Sequence, residues 1–178
     1  RKRLQNSILF IDTSLPEFHD YNRAMITITQ QWAIAKVLVH RGARKAFVEM
    51  AEQILKLAIY YEFIDMVVEI LHFLLSSILP FPQHNKDFPR FLKMLKDYKE
   101  AHDAELAVWE ALTTIIWPLV MKKGTPADHV GPIRNQVELL RPMAERFPHA
   151  YLQSHYRTIE LYGYIFSNDW ENALEKAR

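Results

Sequence analysis

The sequence predicts an all-α protein of stacked antiparallel helical hairpins, with about eight helices in 178 residues. Apolar residues recur at three- and four-residue steps along most of the chain, the period of an amphipathic helix. Several of these periods are separated by only a few polar residues, so neighbouring helices must fold back on one another. Only four glycines occur, and the nine prolines sit mostly at apparent helix boundaries, which argues against hairpin-rich β architecture. The one competing β signal, the Thr/Ile-rich 26–29, is too short and lies inside a helical period.

Taken in order, residues 2–11 place Leu4, Ile8 and Ile11 on one face, and 12–16 break that helix. Ser14 and Glu17 have capping-box spacing, with Pro16 suited to a first turn. The next helix is expected over 18–41, with Tyr21, Met25, Ile28, Trp32, Ala35 and Val39 facing inward and Gly42 as a left-handed stop. Residues 43–79 form the most legible hairpin. Phe47, Met50, Ala51, Ile54, Leu55 and Ala58 make one face of its first helix, and a tight joint at 62–65 leads to its second, 66–79. Pro80 and Pro82 end it.

Asp87 and Pro89 restart a helix that runs to Trp117 or beyond. Its expected core stripe includes Phe91, Leu95, Tyr98, Leu106, Trp109 and Thr113. Thr125, Pro126 and Asp128 supply a cap, a first-turn proline and a first-turn acid, and Gly131–Pro132 predict an irregular turn before 133–147. An aromatic helix over 149–166 follows, and Asn168 with Glu171 has capping-box spacing ahead of a last helix.

The chain reads as a single domain over 1–178, and Arg1 together with an ending inside a helical unit implies continuation at one or both ends. A net charge of +1, from 22 basic and 21 acidic residues, removes the electrostatic case for nucleic acid or an anionic membrane as partner. Without cysteine, disulfides, thiolate catalysis and cysteine-ligated zinc are excluded, which fits a reducing cytoplasm. The most apolar runs, 66–81 and 106–121, carry charges and fall short of the roughly 20 residues a spanning helix needs.

Tyr60 with Asp65 and Tyr164 with Asp169 repeat one spacing, and their separation is close to three units of about 34 residues. Tyr164, Asn168–Asp169–Trp170, Ala173–Leu174 and Ala177 follow the order aromatic, tight polar turn, aromatic, small. In these residues the C-terminal segment resembles a tetratricopeptide repeat. Arg157 and Leu161 depart from the motif, as does Glu69 in the earlier hairpin, so the whole is similar to a degenerate array. The resemblance implies close helix approach at Ala173, a wedge filled by Trp170 and Tyr164, and partner contacts through His155, Thr158 and Tyr162.

Glu69-x-x-His72 is half of a di-iron helix constellation, which needs two such motifs plus two further glutamates, and no second copy is present. His102 lies on the expected apolar stripe, with Asp103 and Glu105 largely off it and no serine positioned for a triad. Arg41, Arg44 and Lys45 cluster at Gly42, where an acidic peptide or phosphate is one reading and helix-end electrostatics the simpler one. Trp32, Trp109, Trp117, Tyr60, Tyr61 and Tyr98 are expected in the core.

The function expected from these features is a non-catalytic scaffold that binds another protein or a peptide on a concave face, with no cofactor or metal and with self-association through exposed apolar ends. The alternative is a ligand- or metal-binding helical bundle using Glu69, His72 and His102.

Overall fold

The computed structural model describes residues 19–80, 86–121 and 124–177, and among these every regular element is a helix. Seven follow in order: α1 (Asp20–His40), α2 (Arg44–Tyr60), α3 (Ile64–Ile78), α4 (Phe88–Val120), α5 (Pro126–Arg146), α6 (Ala150–Phe166) and α7 (Trp170–Ala177). The expected helix at 2–11 and the cap at Ser14 lie outside the described residues. The helices pack as antiparallel hairpins: α1 on α2, α2 on α3, α5 on α6, and α6 on α7. No irregular turn precedes Ile133. Helix α5 runs unbroken from Pro126 with Pro132 and Pro142 inside it. Both prolines are exposed, so water can serve the carbonyls that lose an amide partner.

Three of the joints have one construction. At Gly42 (φ 77°), Glu62 (φ 56°) and Asn168 (φ 58°) the backbone turns left-handed just after a helix end. In the first, the Gly42 amide donates to the Val39 carbonyl at 2.9 Å and the Ala43 amide to Leu38 at 2.9 Å. In the second, Glu62 donates to Ile59 at 3.1 Å and Phe63 to Ala58 at 2.9 Å. In the third, Asn168 donates to Ile165 at 3.2 Å and Asp169 to Tyr164 at 2.9 Å. This paired 5→2 and 6→1 arrangement satisfies two of the carbonyls that a helix end leaves orphaned.

The joints correct two expectations. Tyr60 is the last residue of α2, whereas Tyr164 sits two residues before the end of α6, so the Tyr–Asp spacing is not in structural register. Asn168 is the left-handed residue rather than a cap. Asp169 caps α7 instead, its carboxylate accepting from the Asn172 amide at 3.3 Å and side chain at 2.7 Å.

The chain divides into two compact units, residues 1–99 and 100–178. The first has its core between α1, α2 and α3, with Phe91 of α4 added to it. Ala35, Ala51 and Ala58 are wholly buried and allow close helix approach, while Trp32, Phe47 and Phe73 meet as three rings 5.6 to 6.1 Å apart, one from each helix. Burying one such ring contributes roughly 1.5–3 kcal/mol. In the second unit Ala104, Val108, Ala111 and Ile115 of α4 join Ile133 and Leu140 of α5 and Leu152, Tyr156 and Ile159 of α6 in one buried cluster.

That second core overturns the stripe expected for α4 from Leu106 onward, whereas Phe91 is buried, and Leu95 and Tyr98 pack against the first core, as expected. Leu106 and Trp109 are each 50% exposed and Trp117 is 61% exposed, while the alanine-rich face is buried, including Glu105. Small residues win because they let neighbouring helices close on α4. Tyr60 and Trp170 are likewise exposed rather than core, although Trp32 is 2% exposed as expected and Ala173 is buried.

The joints make a quantitative expectation. Glu62→Gly and Asn168→Gly should each raise stability by about 0.5–1 kcal/mol, because a side chain is strained at these backbone angles, and Gly42→Ala should lower it by about 1 kcal/mol. Chemical denaturation of the three variants checks this, and a loss of stability in Glu62→Gly would contradict it.

Candidate functional site

Glu69, the residue with the most chemical promise in the sequence, is committed elsewhere. Its Oε1 accepts from the buried Trp32 indole at 2.8 Å and from the Lys36 ammonium at 3.1 Å, tying α3 to α1. Lys36 also lies over the Trp32 ring, 5.5 Å from its centroid. Burial raises the Glu69 pKa, but the hydrogen bonds from Trp32 and Lys36 and the Lys36 charge together outweigh it, holding the carboxyl below the ordinary glutamate range. His72 is exposed one turn along α3, and His102 is half-buried on α4. Among the described residues, no group of three or more His, Asp or Glu side chains is placed to hold a metal ion.

Arg41, Arg44 and Lys45 are all exposed at the α1–α2 joint. Arg41 is the C-terminal cap of α1 and Arg44 opens α2, so the cluster spans the joint rather than lining a recess. On α6, the His155 Nδ1 lies 2.8 Å from the Tyr151 carbonyl and its ring lies tilted against that of Tyr151, 4.2 Å between centroids. The Thr158 hydroxyl donates to the Ser154 carbonyl at 2.8 Å. Tyr162 packs on Phe166 at 5.8 Å and against the second unit's core. All three are half-buried, and none faces the nearest recess.

That recess runs between α5 and α6 and reaches the α6–α7 joint, with a volume of about 220 Å³. Val130, Ile133 and Val137 form its floor, and Arg134, Glu138 and Arg141 follow one rim of α5. Glu160, Tyr164 and Asp169 close the other side. The helices come close here because Gly163 has no side chain: a Cβ at that position would stand 3.3 Å from the Ile133 methyl. Arg141 donates to Glu138 at 2.8 Å. Its hydrogen bond with Tyr156, reinforced by the charges of Glu138 and Glu145, shifts its pKa upward. At the start of α5 the Asp128 carboxylate accepts from the Thr125 amide at 2.7 Å and hydroxyl at 2.8 Å, which lowers its pKa and fixes the first turn.

This groove is not among the sites expected from the sequence. Val130, Arg134, Val137 and Arg141 share one helical face of α5, and that spacing was the available signal.

No protein-family model, curated protein or solved structure matches the chain. The fold and the groove therefore define it by class: an all-helical protein of paired helical hairpins, consistent with a helical-repeat fold in general. Among the described residues no helix is long and apolar enough to cross a membrane.

The Glu69 contact carries a test with a sign. A carboxyl with a depressed folded pKa contributes stability above its unfolded value, about 4.3, and loses it as pH falls through the folded one. Glu69→Ala strands the Trp32 indole and should cost about 1–3 kcal/mol at pH 7. The gap between wild type and Glu69→Gln should narrow on going from neutral to strongly acidic pH, read by thermal melts. An unchanged gap would show that the charge contributes nothing.

Proposed function

We propose that the chain is a non-catalytic helical-repeat module that binds another protein or a peptide. The observation that carries this reading is the α5–α6 groove, whose apolar floor is flanked by arginines and carboxylates. Such a lining suits a peptide with one apolar anchor and charges of both signs beside it, docked with little ordering cost to a rigid helical wall. The sequence pattern around Asn168–Ala177 supports a finer reading, a degenerate tetratricopeptide-like array, in which His155, Thr158 and Tyr162 would form a second contact face on α6.

Peptides selected from a random library against the full chain test the proposal. Arg134→Glu with Tyr164→Ala should weaken the selected peptides by about tenfold or more, the scale of losing one anchoring contact. Lys45→Ala, at the α1–α2 joint, should leave them unaffected. Equal binding by the groove variant and wild type would overturn the groove assignment, and loss confined to a His155→Ala/Thr158→Ala variant would move the site to the other face of α6.

A further inference from the structure

Helix α4 carries a second apolar stripe that its own unit leaves uncovered. Leu106, Trp109, Thr113, Trp117 and Val120 lie on the side of α4 away from the buried Ala104, Val108, Ala111 and Ile115. Leu106 and Trp109 are each 50% exposed, Trp117 61% and Val120 66%. Two tryptophans on one open helix face are far from the scattered single apolar residues of an ordinary surface.

The spacing of the stripe says what fits it. Its steps are three, four, four and three residues, the helical period that keeps all five side chains on one face. They also read the same in either direction about Thr113. An antiparallel second copy with its two-fold axis at Thr113 therefore sets Leu106 against Val120 and Trp109 against Trp117, twice over, as an isologous contact requires. The centre suits close approach. Thr113 is small, and its hydroxyl already donates to the Trp109 carbonyl at 2.8 Å, so it can present its methyl group without stranding a donor.

We propose that this stripe is a homodimer interface, in which two copies of the chain pair their α4 helices antiparallel about Thr113. The proposal stands apart from the peptide groove, which lies on α5 and α6. The exposed parts of the stripe side chains amount to on the order of 500 Å² per copy, given the 150–250 Å² of a whole aromatic side chain. Two copies then bury on the order of 1,000 Å², the low end for a specific interface. The dimer is accordingly a weak one, formed at micromolar rather than nanomolar concentration.

Sedimentation velocity on the full chain across a concentration series, from about 1 µM to about 500 µM, tests this. Wild type should pass from one-chain to two-chain mass, with a blue shift of tryptophan emission as Trp109 and Trp117 leave water. Trp109→Lys with Trp117→Lys should hold the chain at one-chain mass at every concentration while its circular dichroism stays helical. Trp170→Lys, at an equally exposed tryptophan on α7, should dimerise like wild type, which separates this stripe from general stickiness. Thr113→Cys adds a readout that is independent of folding: mild oxidation should join two copies across the axis, in a chain that has no other cysteine. A wild type that stays at one-chain mass throughout, a dimer that survives the double substitution, or a Thr113→Cys chain that fails to cross-link would each overturn the proposal.

Discussion

The left-handed joint is the constraint from which most of the architecture follows. Three residues reverse the chain at 41–43, 61–63 and 167–169, and in each case two hydrogen bonds close the preceding helix. A reversal that short leaves the next helix no option but to lie against the last. Alanines then fall at the closest approach in the first unit, where Ala35, Ala51 and Ala58 have no exposed surface. Placing Glu62 and Asn168 in a conformation that favours glycine costs about 1 kcal/mol each, and the paired carbonyl bonds offset it. The joint thus selects the hairpin first, and core packing is settled within it.

Within the first unit, the Trp32–Glu69 contact does for register what the joints do for direction. A ring almost wholly removed from water brings an N–H that needs an acceptor. Glu69 supplies it, from a helix that is not adjacent to α1 in sequence. Sliding α3 by a turn would break this bond and the ring contacts of Phe73 with Trp32 and Phe47 together. Lys36 adds a charge partner at the partly exposed edge, where solvent screens it, so its role is to orient the carboxylate rather than to supply much energy. What reads in the sequence as half a metal site is, in the fold, a polar fastener between apolar faces.

Helix positions and the hairpin pairing were legible because they rest on local signals. Apolar period, glycine at Gly42 and the Thr125–Asp128 start all act within a turn or two. The buried face of α4 was not legible, because large residues look like core on a one-dimensional reading, whereas Ala104 and Ala111 are buried by partners far along the chain. The joints at 62–65 and 168–170 were legible as tight turns, but their left-handed residues were not, since neither Glu62 nor Asn168 announces that conformation as glycine does. The candidate groove escaped because it is a property of two helices meeting at Gly163. One of its walls, Arg134 and Arg141 on α5, was visible in the spacing, and the other was not.

A helix whose opposite sides both carry apolar stripes is normally enclosed by other helices. In the second unit one side of α4 is enclosed and the other, through Trp109 and Trp117, meets water. The stripe is uncharged along its length, while the α5–α6 groove is bordered by arginines and carboxylates. Contacts made through these two surfaces must then answer differently to salt. Screening weakens whatever Arg134 and Glu160 hold, within a Debye length of about 8 Å at physiological ionic strength, and leaves apolar burial on α4 nearly untouched. The two surfaces share no lining residue, so pairing of α4 with another helix and occupancy of the groove draw on different side chains.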